Sequence, residues 1–302
     1  MTLTDNALRK TTMKKTVDTL VKDIYTMLET KEINPEEVDL LAECNAFGDA
    51  MGKLLYEQLQ PEEDRTGRLR LSAIGKPDRK IWNAYKGVAG EKLTGPTYIK
   101  FLYGHIVEAL VLALAQIAGH KVTDQQKEVE VEGVKGHMDG RIDGVLMDVK
   151  SCSSYGYKKF LHNKLHESDD FGYIAQLKGY AYAEGETTYG WLAMDKQNGN
   201  LCWLQYDETD TNARYHDAVN YDIAERVREV KKLVSSDLLP SVCHDPVPDG
   251  QSGNERLATG CTYCDFKYNC WPDVQKFAYA AGPKYLTKVE REPNVKSYPK
   301  EF

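Results

Sequence analysis

The stretch Gly136-His137-Met138-Asp139-Gly140-Arg141-Ile142-Asp143-Gly144-Val145-Leu146-Met147-Asp148-Val149-Lys150-Ser151 decides how the chain reads. Glycines 140 and 144 punctuate it, so with Val129, Val131 and the turn at Gly133 it predicts two or three strands joined by tight turns. Alternate residues of a strand point the same way, which puts Asp148 and Lys150 on one face and turns Met147 and Val149 to the core. A carboxylate beside a lysine suits metal-assisted hydrolysis. The carboxylate holds Mg²⁺, and the lysine positions or deprotonates water and offsets phosphate charge. Asp139, one strand earlier, would reach the same ion across a hairpin. Asp143 competes with it, but its five-residue separation from Asp148 suits a tight turn better.

Outward from this stretch, residues 98–119 predict a strong helix closed by a glycine. Glu108 lies on it among Ile106, Val107, Leu110 and Val111, where a carboxylate is costly unless it is paired or binds metal. Upstream, residues 71–77 suggest a short extended entry and 77–85 a helix. Residues 1–68 form a helical extension: apolar spacing over 12–30, then Asn34-Pro35-Glu36-Glu37 as an N-cap with proline at the first helical position, then helical periodicity to about 59. Downstream come a helix over 171–184, strands at 188–194 and 201–206, and an amphipathic helix over 211–234. The order predicts an α/β fold, a mixed sheet flanked by helices. Expected divisions are the extension 1–68, a core 69–236 and a C-terminal segment 237–302 packed on that core.

The C-terminal segment is loop-rich and carries Cys261-Thr262-Tyr263-Cys264-Asp265-Phe266-Lys267-Tyr268-Asn269-Cys270, three of the seven cysteines. Such spacing lets thiolates share one metal or cluster, and a small irregular segment usually needs such a staple. Cys243 is the best fourth ligand, with Cys44 more distant; four cysteines within thirty residues suit an iron–sulfur cluster or tetrahedral Zn²⁺. Cys152 and Cys202 fit as small apolar packing residues. At 41% apolar, the 302 residues suffice for a core of roughly 150–200 residues with appended helices. A net charge of −7 does not exclude a nucleic-acid partner, because binding follows the local field. Lys76, Arg79 and Lys80, then Lys158, Lys159 and Lys164, are candidate phosphate contacts, and Tyr155 and Tyr157 candidates for stacking on unpaired bases. No base-reading helix-turn-helix or finger is visible. The longest strongly apolar stretch, 106–118, contains Glu108 and is too short to cross a bilayer, and the N-terminus lacks a signal-like apolar block. A soluble, cytoplasmic protein is the expectation.

Taken alone, Asp148-x-Lys150 is more often a surface strand pattern. The set Gly104-x-x-x-Glu108, Gly136-x-x-Asp139, Asp148-x-Lys150 and Gln176-x-x-x-Tyr180 is more specific, and in that order it resembles the PD-(D/E)XK nuclease superfamily, within it the RecB-like and lambda-type phage exonucleases. The resemblance covers roughly residues 69–283. It implies a restriction-endonuclease-like core, Glu108, Asp139 and Asp148 as Mg²⁺ ligands with Mn²⁺ able to substitute, Lys150 as the catalytic lysine, and Gln176 and Tyr180 facing the site. His105 competes with Glu108, but its distance from Gly104 does not match the motif. The implied activity is a DNA exonuclease of phage-type recombination, replication or degradation, in the host cytoplasm if phage-encoded, with a single-strand annealing or helicase partner. The alternative is a DNA-end-binding subunit with little or no cleavage. An oligomer is compatible, since lambda-type relatives form rings around duplex DNA. The cysteine spacing resembles that of the iron–sulfur members, AddB-type and CRISPR-adaptation nucleases, and implies a [4Fe–4S] cluster clasping the end of the domain. In those members the fourth cysteine lies upstream, in a stretch resembling Leu71-Ser72-x-x-Gly75-Lys76-x-x-Arg79. Here the corresponding positions are Pro77 and Asp78.

Overall fold

The computed structural model describes residues 15–61, 65–280 and 282–298. In chain order the elements are α1 (Leu20–Thr30), α2 (Leu40–Gln58), α3 (Asp78–Tyr85), α4 (Gly95–Ile117), β1 (Val122–Thr123), β2 (Glu128–Val131), β3 (Val134–His137), β4 (Gly140–Ile142), β5 (Val145–Cys152) and α5 (Ser154–Leu161). There follow α6 (Tyr173–Glu184), β6 (Thr188–Asp195), β7 (Leu201–Asp207), α7 (His216–Val219), α8 (Ile223–Ser235), β8 (Val247–Pro248), β9 (Glu255–Arg256), α9 (Thr259–Thr262), α10 (Lys267–Cys270), β10 (Gln275–Tyr279), β11 (Gly282–Lys288) and β12 (Ser297–Tyr298).

The central sheet runs β1-β4-β5-β6-β7 and is mixed, with helices on both faces. Only β5 and β6 are parallel, because the crossover through α5 and α6 returns the chain to the starting end of the sheet; the other pairs are antiparallel. On one face Leu146, Cys152, Tyr189, Trp191 and Ala193 pack with Leu177, Tyr180, Val227 and Val230 of α6 and α8. On the other, Met147, Val149 and Leu192 meet Leu20 and Ile24 of α1 and Val107 and Val111 of α4. Two covered faces explain the nearly continuous burial of β5 and β6. They also amend the sequence reading of β5: the Asp148–Lys150 face is no less covered than the Met147–Val149 face, since α6 lies over it. The stretch read as two or three strands holds four, β2 to β5, with β2 and β3 forming a separate hairpin against α6.

α4 is longer than the apolar stretch 106–118 and is, by length and composition alone, long and apolar enough to cross a membrane. Here it covers the sheet, burying Val107, Val111, Leu112 and Ala115 against β5 and α1, while α2 packs along it. The N-cap of α2 is Asp39, whose carboxylate accepts from Ala42 N at 3.1 Å, and not Asn34. Asn34 caps only the turn that precedes it, accepting from Glu36 N at 3.1 Å. Residues 12–14, the start of the first predicted helix, lie outside the described residues. The helix predicted over 211–234 is split into the short α7 and α8, which begins at Ile223, where the Asp222 side chain accepts from Glu225 N at 3.0 Å.

The C-terminal segment holds a second sheet, β12-β10-β11-β9-β8, around Leu257, Cys261, Val274 and Tyr285. The sequence reading missed it because charged residues break the alternation of strands such as QKFAY and GPKYLTK. Arg79 Nη1 donates to Pro240 O at 3.1 Å, Lys86 Nζ to Asp237 Oδ1 at 2.8 Å and Glu91 N to Asp265 O at 2.7 Å, so α3 and the loop after it hold this segment to the core. An ion pair between Lys267 and Glu91 adds to them.

Candidate active site

β4 starts at Gly140, paired with Met147, so the β4–β5 ladder opens beyond that pair. At the fork Asp139 Oδ2 accepts the Val149 N–H at 2.7 Å and satisfies a backbone donor the ladder no longer serves. Asp148, beside it, is 1% exposed. Its Oδ1 accepts from Gln176 Nε2 at 3.0 Å, and its Oδ2 is ion-paired with Lys150 while accepting no hydrogen bond of ordinary geometry. Lys150 Nζ also lies 3.4 Å from Gln176 Oε1, so one amide touches both halves of the pair. Gln176 Nε2 reaches the Tyr180 hydroxyl, one helical turn on, at 3.3 Å. Gly136 makes room for that tyrosine: a Cβ there would stand 2.7 Å from Tyr180 Cε1 and 2.9 Å from Leu71 Cβ. Gly104 faces open space, so no such packing demands a glycine there.

Glu108 approaches from α4, with Oε1 accepting from Gln126 Nε2 at 2.7 Å. Burial pushes the Glu108 carboxyl above the usual range, and the Asp148 charge adds to it. Asp139 is raised further, by burial first and then by Asp148 and Glu108. Burial raises Asp148 too, against the pull of Lys150. Burial pushes the Lys150 ammonium down, but Asp148 and Asp139 outweigh it and hold it protonated. Burial pushes the Tyr180 hydroxyl up to about 12, so it is a neutral phenol. The structure thus brings together Glu108, Asp139, Asp148, Lys150, Gln176 and Tyr180. It separates Asp143, which accepts from Lys121 N at 3.0 Å and pairs with His120 at 2.7 Å, and leaves His105 exposed.

Three hard oxygen donors that repel one another in a desolvated place suit a divalent cation, which would remove the repulsion. Among the described residues no three His, Cys, Asp or Glu side chains already stand as a metal cage. Lys150 and Gln126 occupy the carboxylates instead. Mg²⁺ needs only one or two protein carboxylates beside water and phosphate oxygens, so the donor set still fits.

Sequence reasoning missed Gln126 and Tyr173. Gln126 belongs to no motif; it sits at φ 54° in the β1–β2 turn. Tyr173, whose ring centroid is 4.5 Å from Lys150 Nζ, had a signal, since it lies three residues before Gln176 on the same helix.

The candidate DNA contacts divide. Lys76 stands in one positive field with Lys80, Lys150 and Arg70; burial, then Lys80, lowers its ammonium, with Asp265 opposing. Arg79 turns inward to Pro240 O. Lys159 donates to Ser168 O at 2.8 Å, while Lys158 and Tyr155 are exposed on α5. Lys164 is paired with Glu167 at 3.5 Å. Tyr157 is buried and donates to Leu201 O at 3.0 Å, which removes it as a base-stacking residue.

Cys243, Cys261, Cys264 and Cys270 line one small cavity with His244, Lys80 and Phe171. Burial pushes the Cys261 thiol up to about 11, with Cys243, Cys264 and Cys270 adding. Burial raises the Cys243 thiol as well, against the opposing pull of the nearby backbone amides of Lys80 and Arg79. A cysteine from the C-terminal segment therefore stands beside the start of α3, next to the positions 77 and 78 where a sequence-adjacent fourth cysteine is lacking. The four cysteines share the lining of this cavity, but among the described residues no three of them already stand as a metal cage. Cys44 lies elsewhere, exposed on α2, and Cys152 and Cys202 are buried in the core.

No family model and no curated protein matches the chain. Among solved structures it is similar to an alkaline exonuclease from Laribacter hongkongensis, at 12% identity over 57% of this chain and 91% of that one, with a TM-score of 0.39. That exonuclease has also been solved in complex with dAMP, and against that structure the TM-score is 0.37 at 12% identity, over the same shares of the two chains. A phage-related exonuclease from Haemophilus somnus 129PT shows 14% identity over 56% of this chain and 90% of that one, with a TM-score of 0.34.

Proposed function

We propose that this protein is a metal-dependent DNA nuclease, an exonuclease that hydrolyses phosphodiester bonds without sequence specificity. The observation that carries the reading is the group of three carboxylates, Asp148 buried and Glu108 and Asp139 half-buried, each pushed toward its neutral form, around a lysine that Asp148 and Asp139 keep charged. Glu108, Asp139 and Asp148 would hold Mg²⁺, or Mn²⁺ in its place. When bound, the ion supplies Lewis-acid stabilisation of charge on the phosphate and an activated water. Lys150, held protonated, orients water or a phosphate oxygen and offsets charge; it does not take a proton while Asp148 is beside it. Gln176 fixes Asp148 and Lys150 relative to each other. The Tyr180 oxygen accepts from Gln176, which leaves its own proton for a phosphate oxygen.

Lys76 and Lys80 would hold the backbone next to the site, with Lys158, Lys159 and Tyr155 of α5 as outer contacts and Arg79 acting as a brace. Phosphate contacts of this kind position a strand without reading bases. The four cysteines would bind a [4Fe–4S] cluster, or Zn²⁺, that clasps the second sheet to α3. The motif resemblance extends the reading to phage-type recombination, replication or degradation in the cytoplasm, beside an annealing or helicase partner.

The test is incubation of anaerobically purified protein with end-labelled linear and circular DNA, single- and double-stranded, in Mg²⁺, Mn²⁺ or EDTA. Metal-dependent shortening of linear DNA only, lost in Lys150→Ala, is the expected result. Cleavage of circles would make the enzyme an endonuclease. Binding without cleavage under any metal would replace the enzyme by a DNA-end-binding subunit. Iron, sulfide and zinc analysis with the visible absorption spectrum decides the cysteine centre.

A further inference from the structure

Tyr173 is the first residue of α6, and its ring lies over the Lys150 ammonium at 4.5 Å from centroid to Nζ. The ring is fixed from several sides. The Asp169 carboxylate accepts both the Tyr173 N–H at 2.9 Å and the Ile174 N–H at 2.8 Å, which anchors the start of the helix. Phe171 stacks on Tyr173 with ring centroids 5.5 Å apart and 18° between planes, and Phe160 stands 6.2 Å away. Between the two stacked residues Gly172 has φ 75° and backs onto Gly75; a Cβ on Gly172 would fall 2.5 Å from the Gly75 carbonyl carbon. Two glycines in contact thus set the height of the loop that carries the ring.

The ammonium of Lys150 is bounded by Asp148, by Gln176 Oε1 and by this ring. A cation over an aromatic face is attracted by the ring quadrupole, more strongly where water is excluded. Of the three partners, Asp148 is the one a bound metal would draw away, and the ring is the one neither metal nor phosphate competes for. We propose that Tyr173 is a positioning residue: the face of its ring, and not its hydroxyl, holds Lys150 in place once Asp148 turns to another partner. The role rests on the nuclease reading above; the contact itself does not.

The experiment compares Tyr173→Phe, Tyr173→Leu and Tyr173→Met with Lys150→Ala, in DNA cleavage at saturating metal and in the Lys150 side-chain proton shifts of the metal-free protein. The ring should displace the Lys150 methylene signals upfield in the parent and in Tyr173→Phe, and the displacement should vanish with leucine or methionine. Tyr173→Phe should cleave within about threefold of the parent, whereas leucine or methionine should lower kcat by roughly 10- to 100-fold, as a small misplacement of a catalytic group does, with KM for DNA nearly unchanged. Using two aliphatic variants keeps the test decisive if one of them fails to fold. Full kcat in a folded aliphatic variant, or equal losses in phenylalanine and leucine, would overturn the proposal. If Lys150→Ala cleaves normally, the catalytic role of Lys150 in the nuclease reading falls instead, and the proton shifts of the parent still report whether the ring covers the lysine.

Discussion

The carboxylate site and the cysteine cavity are built in opposite ways from groups that share one difficulty. In the first, Asp148 and Lys150 come from one strand, Gln176 and Tyr180 from one helix, and Glu108 from another, so regular elements set every position but that of Asp139, which stands in the short link between β3 and β4. In the second, Cys243 and Cys264 lie in irregular chain, Cys261 and Cys270 in four-residue helices, and Cys243 reaches the others only because the segment folds back on α3. Each place gathers side chains of like charge, actual or potential, that burial makes uncomfortable. The difference lies in what holds them. Two covered faces of a sheet hold the carboxylates whether or not a cation is bound, whereas the thiols sit where the surrounding core is the small cluster of Leu257, Val274 and Tyr285. Metal should therefore matter for chemistry at the first site and for architecture at the second.

The sharpest way to break this contrast is to remove one ligand from each place. Lys150→Ala should lower kcat by about 100- to 1000-fold, the size expected for a lost group that stabilises developing charge, with little change in Tm at saturating Mg²⁺, where the cation would replace the ammonium as the counter-charge of Asp148. A large fall in Tm would show that the site is structural after all. Cys264→Ala should do the reverse. If the cysteines hold the proposed metal, the second sheet should become sensitive to protease and Tm should fall by roughly 5–10 °C as that metal's contribution to folding is lost, while the remaining folded fraction cleaves DNA at close to the parent rate. Parent-like Tm and metal content in that variant would remove the clasp.

The same contrast separates what is legible in the sequence from what is not. A period of two on β5 and of four on α6 is written in the order of residues, so the sequence alone pairs Asp148 with Lys150 and Gln176 with Tyr180. Asp139 and Asp143 stand in equivalent surroundings in the sequence, each before a glycine; only the opening of the ladder after Gly140 separates them, giving one the Val149 N–H and the other the His120 clamp. Which residues steady the ligands was not legible in the case of Gln126, because a turn with positive φ at Asp124 and Gln126 aims side chains by torsion and not by spacing. The second sheet was hidden for a related reason: five short strands, interrupted by lysines and prolines, carry too few alternations to register.

A smaller effect sharpens the claim that the core holds the carboxylates by force. Asp139→Asn keeps an oxygen for the Val149 N–H but removes one of the repelling charges. The folded-state affinities of Glu108, Asp139 and Asp148 for protons are raised, while in the unfolded chain such groups titrate near 4. The native state then binds more protons than the unfolded one above that pH. The stability contributed by protonating these groups is fully present below pH about 4 and is lost as pH rises toward the raised native values. Metal-free Asp139→Asn should accordingly melt a few degrees above the parent at neutral pH, with the gap closing on acidification and on addition of Mg²⁺ to the parent. An unchanged or lower Tm at neutral pH would mean that the three charges do not burden the fold.

The smallest effect belongs to Gln126, which touches Glu108 from a turn outside every motif. Groups that orient a metal ligand without binding the metal commonly change metal affinity by tenfold or more, and exposure of Gln126 to solvent puts it at the lower end. Gln126→Ala should therefore raise the Mg²⁺ concentration for half-maximal cleavage by about 3- to 10-fold, with kcat recovered at saturating metal. Gln126→Glu sets the side chain's shape against its charge. It would add a fourth carboxylate beside Glu108, and if charge governs the site it should bind Mg²⁺ at least as tightly as the parent. If orientation by the amide N–H governs, it should bind Mg²⁺ as weakly as alanine does. Titrating Mg²⁺ into both variants by calorimetry separates these outcomes without any reference to cleavage.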